Sequence, residues 1–133
     1  MSNEARRQDA GFLNVDLELE SKADLSTLLE TFGRSIVVLR DTVERRVHTV
    51  WLEHAPEPRH VDEAIMQYAK LVSRLPRAKR SLWNDCRTRR LNIGIQAMAT
   101  NQRFDLSDRA VVAAAQIRAE IVLTVYGKLR KRR

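Results

Sequence analysis

Residues Leu13 to Glu20 alternate without a break. Leu13, Val15, Leu17 and Leu19 fall on one side, and Asn14, Asp16, Glu18 and Glu20 on the other. Side chains along a strand repeat every two residues, so the stretch predicts a strand with one apolar and one acidic face. Arg90 to Ala97 repeats the pattern: Leu91, Ile93, Ile95 and Ala97 oppose Arg90, Asn92, Gly94 and Gln96. A mid-strand glycine such as Gly94 signals a bulge or the close approach of another segment. Ala119 to Tyr126 is the third such run, with Ile121, Leu123 and Val125 set against Val122, Thr124 and Tyr126.

Between these runs the period changes. Ser21 and Asp24 are start signals, Leu25, Leu28, Leu29 and Phe32 form a helical stripe, and Gly33 ends it. Ile36 to Leu39 reads as a strand, Arg40 to Arg45 as a polar turn, and Val47 to Glu53 as the returning strand of a hairpin. The facing of that return is open, because Val47, Thr49 and Trp51 compete with Val50 and Leu52 for the core. Pro56 and Pro58 make His54 to His60 a loop. Asp62 caps the next helix, whose stripe is Ile65, Tyr68, Ala69, Val72 and Leu75, and Pro76 stops it. Arg77 to Asp85 predicts a short helix, and Ser107 caps a last one with Ala110, Ala113, Ala114 and Ile117 on its buried face.

The order is therefore β-α-β-β-α-β followed by α-β, an α+β class. Its first six elements match the ferredoxin-like arrangement, with a mostly antiparallel sheet and helices on one face. At 133 residues the chain reads as one domain: a lead-in over 1–11, a folded unit over 12–127 and a tail over 128–133. In that topology the first strand lies between the third and fourth. Its acids would then neighbour Arg46 or His48 on one side and Arg90, Asn92 and Gln96 on the other.

Charge modifies this picture mainly at one end. The formal net charge is +7, with 24 Lys and Arg against 17 Asp and Glu. Five of the cations, Lys128, Arg130, Lys131, Arg132 and Arg133, sit in the last six residues, and the remaining 19 leave a body near neutrality. Arg74, Arg77, Lys79, Arg80, Arg87, Arg89 and Arg90 form a second basic cluster. Arg77, Lys79, Arg80 and the tail together would make a nucleic-acid-binding edge, and the plainer reading is a solvated surface. The sheet face itself argues against RNA, because acids stand where base-stacking aromatics would be needed.

Two readings of the acidic face remain open: a salt-bridged surface, and a docking stripe of Asp16, Glu18, Glu20 and His48 for another protein. Those groups with Glu53 could also supply metal ligands, but alternate residues of any polar strand look the same, and no HExxH or EF-hand pattern accompanies them. No cofactor, metal or catalytic motif is expected. His54 and His60 read as solvated loop histidines. Cys86, the single cysteine, reads as a buried thiol, and Trp51 and Trp83 as core. Met1 to Ala10 has no apolar core, and no run is long enough to cross a bilayer. A cytoplasmic protein without a membrane partner is expected, with self-association left open.

Three stretches look familiar as a set: Val15 to Ser21 with Asp24-Leu25, Trp83 through Leu91 to Ile95, and Ala119 to Tyr126. Together the chain resembles small uncharacterised bacterial α+β proteins, some of which look like immunity proteins of contact-dependent toxin systems. The resemblance implies a cytosolic bacterial binding protein without known enzyme activity, and it assigns no functional residues.

Overall fold

The computed structural model describes residues 11–127. The chain runs β1 (Phe12–Ser21), α1 (Ser26–Phe32), a 3-10 turn (Gly33–Ser35), β2 (Ile36–Glu44), β3 (Val47–His54), α2 (Val61–Ser73), α3 (Arg77–Asn84), β4 (Thr88–Gln96), α4 (Asp108–Gln116) and β5 (Glu120–Tyr126). This is an α+β architecture. The strands form one open sheet in the order β2-β3-β1-β4-β5, antiparallel except for the parallel pair β4 and β5. β1 lies between β3 and β4, as expected for the first strand. No helix among the described residues is long and apolar enough to cross a membrane.

One face of the sheet is buried. Val15, Leu17 and Leu19 of β1, Val50 and Leu52 of β3, and Leu91, Ile93 and Ile95 of β4 share a single core with Leu28, Ile65, Tyr68, Trp83, Ala110 and Ala114 from the helices. Removing this apolar area from water supplies the main drive to fold. The polar handles of the large aromatics are satisfied within it. The Tyr68 hydroxyl donates to the Val15 carbonyl at 2.8 Å, and the Trp83 indole N–H donates to the Ile117 carbonyl at 2.8 Å. These two bonds tie α2 to the central strand and α3 to the end of α4.

The alternation of β3 resolves the ambiguous facing: His48, Val50, Leu52 and His54 are buried, and Thr49, Trp51 and Glu53 turn outward. Ser107 caps α4 as expected, accepting from the Ala110 N–H at 3.1 Å. Four expectations are corrected. Arg40 to Glu44 continue β2 instead of turning, and the hairpin bend is only Arg45 and Arg46, both with positive φ. Pairing to β3 overrides their polarity, because an edge strand tolerates charged side chains. Leu13 is exposed, since a register shift between Phe12 and Asn14 breaks the alternation there. Asp62 does not cap its own helix; its carboxylate accepts from the Ser107 N–H at 3.1 Å, joining the starts of α2 and α4. Trp51 lies half-buried on the outer sheet face, not in the core. Gly94 is the close approach anticipated: a Cβ there would meet Asn14 Oδ1 at 2.5 Å.

Candidate functional site

The outer sheet face holds the acids of β1 together with side chains from every neighbouring strand. Register fixes who meets whom. Glu18 lies between Trp51 on β3 and Arg90 on β4, Glu20 between Thr49 and Thr88, and Asp16 beside Asn92. Glu20 is paired, with Arg87 Nη2 at 2.8 Å and Nε at 2.9 Å from its Oε2. Glu18 accepts from the Asn92 amide at 3.0 Å, and Asn92 in turn accepts from the Thr124 hydroxyl at 2.7 Å. That relay crosses β5, β4 and β1. Arg90 leans away from β1, and its Nε stands 3.5 Å from Glu120. Arg40 of β2 stacks over the Trp51 ring at 4.8 Å, a cation–π contact on the exposed side of the sheet.

Asp16 is the exception in this lattice. Its Oδ1 is buried and has no hydrogen-bond partner among the described residues. Its carboxyl is pushed up to about 6, first by burial, then by the negative charges of Glu53, Glu18 and Glu57. Glu53, the outward residue of β3 two along from Trp51, is also raised, by partial burial and by the charge and hydrogen bond of Glu57. An uncompensated acidic corner therefore adjoins a half-exposed tryptophan. In the sequence Glu53 stood beside Asp16, Glu18, Glu20 and His48 only as a candidate metal ligand. Its partnership with Asp16 depends on the pairing of β1 with β3, and that of Glu57 on the path of the following loop.

His48 does not belong to this face. The two-residue alternation of β3 turns it to the opposite side, where it is buried. Its Nδ1 accepts from the Leu25 N–H at 2.9 Å, which leaves the proton on Nε2 to be donated to Asp41 at 2.6 Å. A cavity of about 370 Å³ opens beside it, lined by Lys22, Asp24, Asp41 and Arg46 among others. The imidazole thus secures the start of α1. His54 is likewise buried and not solvated. Its Nε2–H donates to the Ala64 carbonyl at 2.9 Å, its ring stacks on Tyr68 at 3.7 Å, and burial holds its pKa below the ordinary histidine value.

The second basic cluster divides by task. Arg80 donates to the carbonyls of Val72 and Gln116, and Arg89 to those of Trp83, Asn84, Cys86 and Arg118. These guanidiniums satisfy the bare carbonyls of helix C-termini. Arg77 is exposed and Lys79 half-buried on α3. Lys128, Arg130, Lys131, Arg132 and Arg133 lie outside the described residues. The Cys86 thiol is buried and pushed up to about 11, chiefly by burial, so it stays protonated near neutrality and is a poor nucleophile. Among the described residues no cluster of three or more His, Cys, Asp and Glu has the geometry to hold a metal ion. Comparison with protein-family models, curated proteins and solved structures finds no match for the chain.

Proposed function

We propose that this chain is a non-catalytic protein-binding module whose uncovered outer sheet face receives a basic partner. The observation that carries the reading is the half-buried Asp16 carboxyl beside Glu53, its Oδ1 enclosed without a hydrogen-bond partner among the described residues. A partner arginine entering there would supply a donor to the Asp16 carboxylate and relieve the repulsion with Glu53, beside the Trp51 ring that Arg40 already covers. Aromatic anchors ringed by satisfied polar groups are where interfaces concentrate their binding energy. Glu18 and Glu20, already engaged by Asn92 and Arg87, form the rim in this reading. His48 is set aside as a contact because it faces the core.

The scaffold in this reading is a ferredoxin-like βαββαβ unit, its helices on the face opposite the docking surface, extended by α4 and β5. The setting is the cytoplasm of a bacterium. An immunity-type role would place the basic partner on a toxin domain. Titrating the full chain with a short arginine-rich peptide tests the surface. Binding is expected for the native chain and is lost on Asp16→Lys with Glu53→Lys. Equal affinity for the native and doubly reversed chains, with unchanged circular dichroism, sinks the proposal.

A further inference from the structure

The two ends of the sheet are built differently. β2 is the edge beside β3, and it carries the usual protection: a register shift around Leu39 and the charged residues Arg40, Asp41 and Glu44. β5 is the edge beside β4, and it has none. From Ile121 to Tyr126 it holds no charge, proline or glycine, and its register with β4 is unbroken. Leu123 and Val125 are 61% and 60% exposed although they point to the same side as the core residues of β4. A long, regular apolar edge of this kind is a template for another strand.

Backbone geometry specifies which groups are offered. The Tyr126 carbonyl accepts from the Ala97 N–H, so its peptide groups face β4. Because N–H and C=O directions alternate along a strand, those of Ile121, Leu123 and Val125 face outward, unpaired among the described residues.

We infer that β5 is the surface through which two copies of this chain join, pairing antiparallel across a two-fold axis at Leu123. Leu123 is the middle residue of the seven in β5, so this register pairs the whole strand. Leu123 meets its own counterpart, Ile121 meets Val125, Val122 meets Thr124, and Glu120 meets Tyr126. The three outward-facing residues fall in hydrogen-bonded pairs, giving roughly six new interstrand bonds. Apolar side chains meet apolar ones on the core side, and the lone charge of the strand, Glu120, never meets its like. That self-complementarity is what an isologous interface demands, and it favours a second copy over an unrelated strand. The product is one continuous ten-stranded sheet (twice the five of the monomer). The inference is independent of the docking face, which lies on the flat of the sheet and not its edge.

Sedimentation equilibrium and oxidative cross-linking of the full chain test it. The native chain is expected to dimerise with concentration, and Leu123→Lys, which sets two cations on the axis at an exposed position, to weaken the dimer at least about tenfold. Leu123→Cys is expected to form a covalent dimer under mild oxidation. Paired Cα atoms about 5.5 Å apart suit a disulfide, and Cys86 is buried and does not compete. Val38→Cys on the β2 edge, at the opposite end of the sheet, is expected to form no covalent dimer. A native chain that remains monomeric up to about 100 μM, a Leu123→Lys dimer of unchanged strength, or cross-linking through Val38→Cys in place of Leu123→Cys would each overturn the assignment.

Discussion

Asp16 shows how one side chain can oppose the fold that contains it. Its folded pKa of about 6 lies above the ordinary value of 3.8, so the folded state binds a proton more tightly than the unfolded chain. Its stabilising contribution is therefore present at low pH and is lost as pH rises through about 6. Above that, the ionised carboxylate costs stability. After discounting for its partial exposure, the cost is about 1–2 kcal/mol. Asp16→Asn is expected to raise the thermal midpoint at pH 7.5 and to lose that advantage toward pH 4. Calorimetry across that range checks it, and a variant less stable than the native chain at pH 7.5 contradicts it. His54 works in the other sense. Its lowered pKa makes protonation unfavourable in the folded chain, so its contribution is lost as pH falls below the ordinary histidine value.

At the level of elements, two of the arginines that look like a ligand surface in the sequence, Arg80 and Arg89, serve helix ends. Arg89 gathers the carbonyls of Trp83, Asn84 and Cys86 at the end of α3 and reaches the Arg118 carbonyl after α4. It thereby joins two helix termini to the start of β4. Arg89→Ala leaves those acceptors unsatisfied and is expected to cost about 2–3 kcal/mol, with Arg89→Lys recovering less than half because an ammonium cannot fork. Urea unfolding measures both, and a loss below about 0.5 kcal/mol for the alanine variant, the range of an ordinary surface substitution, refutes the role. The elements were legible where one strong period ran uninterrupted: β1, β4, α2 and α4 lie where the alternation and the stripes put them. The strand over Arg40 to Glu44 was not, because its residues are polar by local preference and extended only through pairing with β3. The facing of β3 was hidden for a related reason, since Trp51 and Val50 are equally apolar and only the core decides between them.

At the scale of the molecule, the described residues give the sheet one covered face, one outer face without a helix over it and two unlike edges, and charge sets how that outer face responds to conditions. A cation seated at Asp16 requires the carboxylate ionised. Affinity for an arginine-rich peptide is therefore expected to hold above pH 6, to fall as pH drops from 6 toward 5, and to weaken with added salt. Asp16→Asn should bind more weakly and lose the pH dependence while keeping much of the salt dependence. Calorimetric titration at pH 7.5 and 5.0 distinguishes these outcomes, and a native affinity that rises on acidification contradicts them.

The acidic alternation of β1 was the clearest signal in the chain. By itself it determined a strand, its buried side and the presence of an acidic face, because a period of two is a local property of the backbone. Tertiary structure decided which acids matter. Glu18 and Glu20 found Asn92 and Arg87 across strand pairs, more than sixty residues away in each case. Among the described residues Asp16 was given no partner for its Oδ1, and it was placed next to Glu53 and within reach of the charge on Glu57. His48, an apparent neighbour in sequence logic, was turned to the far side of the sheet by the parity of β3. The alternation sets which way each carboxylate points, but the burial and partners that set its charge come only from strands and loops brought together by folding.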